Sequence, residues 1–246
     1  MHAFGPLSTL YHAADRPRAA EAEIAWYTQH LPPGALNLQL MCGYGRLLVP
    51  LTASGCKIHG VDLSSAMLAR CEAILGADGL TAPTFRQDIV QMNLPFRYGC
   101  AFVAGGSFQL ITDPAAMAAA LERIRAHLVD PGILYVECVI PAGATQRLGA
   151  PLVEVRTVKL ADGTQIALRS ETTWWADARL ARAENRYAHR RGAQRLAEEH
   201  ETVTMTWYTP DEIMELMRAA GFREVEAGAA PVDNDEGEAF TVTAHL

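Results

Sequence analysis

The chain has 246 residues, half of them hydrophobic and a fifth charged, a composition that suits a globular protein with a large core. Its formal charge of −7 argues against nucleic acid as a partner, because phosphate binding needs a basic face. No run approaches the ~20 apolar residues of a membrane span, and no basic-then-apolar leader opens the chain. The five cysteines, odd in number and without a C-x-x-C pair, are expected to be reduced thiols of a cytoplasmic protein, neither a disulfide framework nor a metal site.

The first half alternates short apolar runs with helical ones, the signature of a parallel sheet with crossover helices. A helix is predicted over 18–30, stopped by Leu31-Pro32-Pro33-Gly34. A strand over 35–40 leads through Met41-Cys42-Gly43-Tyr44-Gly45 into a helix over 46–53. A strand over 57–61, closed by Asp62, precedes a helix that Ser64 caps. Strands follow over 84–87, 100–104 and 133–139. Asp113-Pro114 opens the helix between the last two, and Asp130-Pro131-Gly132 makes the turn after it.

From 152 to 208 polar and apolar residues alternate. Asp162-Gly163 and a second turn near Asp177-Ala178-Arg179 divide this stretch into three or four antiparallel strands, the last over 201–208. Its arginines, with Glu184 among them, read as the solvated side of a strand pair. A helix from Pro210 to Gly221 and an antiparallel strand pair over 222–226 and 239–243 at the sheet edge close the chain. The expected fold class is α/β: a Rossmann-like, mostly parallel sheet of about seven strands flanked by helices, with an antiparallel β insertion after strand five. The expected units are residues 1–150, the N-terminal helix and nucleotide-binding part; 151–208, the insertion, as substrate lid or dimer contact; and 209–246, which completes the Rossmann-like part.

Gly43 and Gly45, between a strand and a helix start, let the backbone approach a ligand closely. Asp62, at the end of the second strand, is placed to accept hydrogen bonds from both hydroxyls of a ribose. Together they point to a nucleoside cofactor. No third glycine completes G-x-G-x-x-G, which argues against an NAD-dependent oxidoreductase.

Residues 38–68 resemble the nucleotide-binding segment of the class I S-adenosylmethionine-dependent methyltransferases, D/E-x-G-C-G-T-G-R followed by G-V-D-x-S-x-x-M-L. Cys42, Gly43, Gly45 and Arg46 match the first part, and Gly60-Val61-Asp62-Leu63-Ser64-Ser65-Ala66-Met67-Leu68 the second. Gln87-Asp88-Ile89, Leu94-Pro95-Phe96, Asp130-Pro131-Gly132 and the segment from Tyr208-Thr209-Pro210 to Ala220-Gly221-Phe222 match in order further on.

The resemblance implies S-adenosylmethionine as cofactor, methyl transfer to a small molecule by in-line displacement, and a site built from Gln39, Met41, Cys42, Gly43, Gly45, Arg46, Asp62, Leu63, Met67, Asp88, Ile89 and Gly105. Phe108 and Gln109 after strand four, and Tyr11 and His12 ahead of the first predicted helix, are the candidate catalytic residues. Glu137 and Arg147 flank strand five and the insertion. Trp174, Trp175, Tyr187 and His189 either cover a substrate or pack within the insertion. Expected partners are a small-molecule substrate and, through exposed strand edges, a second copy of the chain.

Two departures keep an alternative open. Gln39 stands where the family has an acid, and Met41 where it has its first glycine. A methyltransferase fold that has lost methyl transfer, with a binding role or another reaction in the same pocket, is the second reading.

Overall fold

The structure, a computed structural model, describes residues 3–142, 151–232 and 237–246. Two helices come first, α1 (Pro6–Asp15) and α2 (Glu21–His30). Then follow β1 (Asn37–Leu40), α3 (Leu48–Ala53), β2 (Ile58–Asp62), α4 (Ser65–Ala77), β3 (Thr84–Arg86), β4 (Tyr98–Val103), α5 (Pro114–His127) and β5 (Leu128–Pro141). The long strands β6 (Leu152–Lys159), β7 (Gln165–Trp175), β8 (Leu180–Arg191) and β9 (Gln194–Thr206) precede α6 (Pro210–Ala219), β10 (Arg223–Ala229) and β11 (Gly237–His245).

Seven strands form one sheet in the order β10-β11-β5-β4-β1-β2-β3. The five from β3 to β5 run parallel, whereas β11 lies antiparallel between β5 and β10. Strand order reverses between β1 and β4, so the crevice at their C-terminal ends is the place where such sheets take ligands. β4 is buried along its whole length. Leu38, Leu40 and Val103 enter one apolar cluster, while Phe102, Leu48 and Leu51 enter another.

The insertion is a separate antiparallel sheet, β6-β7-β8-β9. Leu7 and Tyr11 of α1 pack against its Val158, Ile166 and Tyr187.

The structure differs from the sequence expectations in three places. Tyr11 and His12 lie inside α1, a helix ahead of the predicted one. β5 starts before the expected Asp130-Pro131-Gly132 turn and runs through it. β9 begins at Gln194, so the last insertion strand starts earlier than residue 201. The final pair, β10 and β11, is antiparallel and lies at the sheet edge as the sequence predicts, with β11 against β5.

Candidate active site

The loop after β1 is set by backbone conformation. Met41, Gly43 and Gly45 have φ of 52°, 57° and 85°. Gly45 tolerates no side chain, since a Cβ there would lie 2.6 Å from Cys71 Sγ. Met41 holds a left-handed conformation that costs an L-residue roughly 1–2 kcal/mol. That cost is the physical reason a glycine suits the position. The Met41 side chain packs partly on the core and partly lines a cleft.

Asp62 organises the floor of that cleft. One carboxylate oxygen accepts from Gly43 N at 2.8 Å, the other from Ser64 N at 2.8 Å. Burial pushes its pKa up, outweighing the bonds from Ser64, Gly43 and Leu63. Each oxygen keeps a lone pair for a further donor.

Leu63, Ile89, Ser107 and Phe4 line the cleft. The space within the cleft is about 40 Å³. Asp88 turns its carboxylate onto Val90 N at 2.9 Å, so Gln87 and Ile89 are the wall residues of that loop. Cys42 and Met67 are buried beneath the loop, the latter with Ala13 and Tyr44.

Gln39 is 4% exposed, and its Oε1 has no hydrogen-bond partner among the described residues. An orphaned buried acceptor beside the loop fits a cofactor that brings a donor, as the ammonium of S-adenosylmethionine does. Arg46 pairs in bidentate fashion with Glu23 of α2, at 2.5 and 2.7 Å, and so ties the loop to a helix.

Beyond β4, Gly105 and Gly106 both adopt positive φ and start a short 3₁₀ turn, Ser107–Leu110. Gly105 N donates to Glu137 at 2.8 Å, and Tyr27 donates to the same carboxylate. Phe108 is 1% exposed in the core. Gln109 is a brace: its Nε2 donates to Val139 O and Thr206 O at 2.8 and 2.9 Å, and its Oε1 accepts from Val139 N. With donors and acceptor engaged on backbone, Gln109 joins β5 to β9.

On the other side of Phe4 the insertion supplies polar groups. His12 meets Phe4 edge-on at 5.4 Å, and its Nε2 lies 3.5 Å from Tyr187 Oη. Tyr187 donates to Glu201 at 3.2 Å; burial, followed by Glu201, pushes its pKa well up, so it stays neutral. Its single proton is used on Glu201, so it accepts from His12. Tyr11 is buried against Tyr187, its pKa raised by burial and then by Asp15. Trp174 packs on Trp207, Trp175 is exposed, and His189 bonds Thr164. Arg147 lies outside the described residues.

Sequence reasoning missed Glu23, Tyr27, Phe4 and Glu199. Their partners are remote in the chain, and no local motif marks them.

The match of residues 38–132 to a family model described as a methyltransferase domain spans both the Gly43–Gly45 loop and Asp62. Those residues are thus similar to a methyltransferase domain, and they hold the loop and the acid that line the cleft.

Over 207 residues the chain is 27% identical to the dTDP-3-amino-3,6-dideoxy-alpha-D-glucopyranose N,N-dimethyltransferase of Streptomyces fradiae, covering 84% of this chain and 77% of that protein. A shorter match, 29% identical over 100 residues, is to a Geobacillus protein named for methyl transfer and covers 41% of this chain and only 40% of that one.

Two solved structures share the fold. The sugar N-methyltransferase KedS8 of Streptoalloteichus aligns with a TM-score of 0.75 at 23% identity, over 98% of this chain and 94% of that one. A S-adenosylmethionine-dependent methyltransferase of Clostridium acetobutylicum aligns with 0.77 at 17% identity, over 97% of each. Among the described residues no cluster of His, Cys, Asp and Glu is arranged to hold a metal, and no helix is long and apolar enough to cross a membrane.

Proposed function

We propose that the chain transfers a methyl group from S-adenosylmethionine to the amine nitrogen of a small, sugar-like acceptor. The observation that carries the cofactor half is the Asp62 carboxylate, held by Gly43 N and Ser64 N at the cleft floor with lone pairs left for ribose hydroxyls. Gln39 Oε1 would accept from the cofactor's ammonium, and Ile89 and Leu63 would flank its adenine. When bound, the cofactor supplies a methyl group made electrophilic by a positive sulfur.

The acceptor half rests on the likeness to the Streptomyces fradiae enzyme and on the polar face beside Phe4. Glu201, with Tyr187 and Asn185 bonded to it, gives that face the negative charge that suits a bound ammonium. The nitrogen must lose a proton before its lone pair can attack, and His12 is the group we assign to take it. Tyr11 and Phe4 would wall the acceptor and keep water out. Arg46 and Gln109 then serve the reaction by fixing the loops, with no contact to the reacting atoms.

The test offers the protein S-adenosylmethionine with a nucleotide-linked 3-amino sugar, or with the same sugar carrying a hydroxyl instead. Mass spectrometry should find methyl on nitrogen in the first case, and His12→Ala should lower kcat more than it raises KM. Methylation of the hydroxy sugar alone would contradict the amine assignment.

We also assign a cytoplasmic location, supported by five unpaired thiols, and a homodimer through β6. On that strand Val153 and Val155 are 49% and 67% exposed. A two-fold axis at Val155 would set Glu154 of each copy opposite Arg156 of the other.

A further inference from the structure

Helix α1 has no cap of its own. Gly5 precedes it, its first turn holds no acidic residue, and no N-cap side chain meets its leading N–H groups. Those groups would be left unsatisfied. They are met from the far end of the chain instead. Glu199 of β9 turns its carboxylate onto the helix start, Oε2 accepting from Leu7 N at 2.9 Å and Oε1 from Ser8 N at 3.0 Å. A carboxylate here gains from both the charged hydrogen bonds and the helix dipole. Gly5 makes the approach possible, because a Cβ at that position would lie 2.6 Å from the Glu199 carboxylate.

The same turn is fastened on its other side. Phe4 O accepts from Ser64 Oγ at 2.6 Å, and Ser64 N donates to Asp62. Glu199, the first turn of α1, Phe4, Ser64 and Asp62 thus form one connected path from the antiparallel sheet to the floor of the cleft. The space under Phe4, about 40 Å³, compares with roughly 300 Å³ or more for ordinary small-molecule sites. A nucleoside therefore enters only if lining residues move, and Phe4, one of them, is one residue from the turn that Glu199 holds.

We propose that Glu199 is a positioning residue for the cofactor cleft: its carboxylate anchors α1 as the cover and ties that cover to the sheet that faces the acceptor. Tyr11 and His12, further along the same helix, take their places from the same anchor. Opening for cofactor exchange then requires the bonds from Leu7 and Ser8 to break, and closure remakes them. The inference rests on the reading of the cleft as the S-adenosylmethionine site.

The experiment uses the full chain in four forms: wild type, Glu199→Ala, Glu199→Gln and Gly5→Ala. The last displaces the carboxylate without altering it. Two quantities are read: amide hydrogen exchange without ligand, and the dissociation rate of S-adenosylhomocysteine by stopped flow. Glu199→Ala should speed exchange in residues 7–11 by about tenfold while β4 and α5 keep their protection. The dissociation rate should rise by about tenfold, Glu199→Gln should fall between, and Gly5→Ala should reproduce the alanine variant. A loss of fold would instead remove protection everywhere. Unchanged exchange in α1 of Glu199→Ala, or faster exchange with an unchanged dissociation rate, would overturn the proposal. If wild-type protein failed to bind S-adenosylhomocysteine, the proposed function would fall, a result distinct from any outcome of the ligand-free exchange.

Discussion

Tyr27 of α2 donates its phenolic hydrogen to the Glu137 carboxylate of β5, across 110 residues of sequence and wholly inside the protein. The second oxygen of Glu137 accepts from Gly105 N, so this buried pair sets the loop that borders the cleft. It also sets a pH response. Burial pushes the Glu137 pKa above its ordinary 4.5, against the lowering effect of the bonds from Tyr27 and Gly105. The native state then holds this proton more tightly than the unfolded chain does, and native stability falls as pH rises from about 4.5 through the raised value. Glu137→Gln removes that slope. Urea unfolding at several pH values should show wild type losing stability relative to the variant as pH rises over this window; parallel curves would refute the assignment.

Met41 is a second testable position. Replacing it with glycine relieves a left-handed strain of roughly 1–2 kcal/mol, but gives up partial burial and adds about 0.5–1 kcal/mol of unfolded-chain entropy. These terms nearly cancel, so the thermal midpoint should move little. The cleft, which the methionine side chain lines, should widen. Affinity for S-adenosylhomocysteine, measured by calorimetry, should rise several-fold in Met41→Gly. An unchanged or weaker affinity would show that the side chain does not obstruct the ligand.

The exposed strand β6 makes a sharper prediction about assembly. In an antiparallel pair of copies, centring the two-fold on Glu154 or on Arg156 sets like charges face to face, whereas centring it on Val155 sets Glu154 against Arg156 twice. Glu154→Arg should therefore weaken the dimer in sedimentation velocity, and adding Arg156→Glu should restore it. A dimer indifferent to both changes would place the contact elsewhere.

Much of the fold was legible because its signals are local. Gly43, Gly45 and Asp62 marked the C-terminal ends of β1 and β2, and Asp162-Gly163 marked a hairpin. The Asp113 and Thr209 caps also lie beside the helices they start. What stayed hidden depends on pairs remote in sequence. Helix α1 could not be read from its own residues because its capping carboxylate is Glu199, about 190 positions away. Gln109 resembled a residue exposed to substrate, and only the backbone of β5 and β9 reveals it as a brace. Met41 adds side-chain bulk where the family has a glycine. Its backbone conformation turned out to be equally informative.

The central claim is that the cleft beneath Phe4, with Asp62 at its floor, is the S-adenosylmethionine site. Calorimetric titration of wild-type protein and Asp62→Ala with S-adenosylhomocysteine tests it most directly. The account predicts one site per chain with micromolar affinity in the wild type and a loss of about tenfold or more in the variant, the expected effect of removing a charged partner of two hydroxyls. No heat of binding from well-folded wild-type protein, or equal affinity in the two proteins, would contradict it.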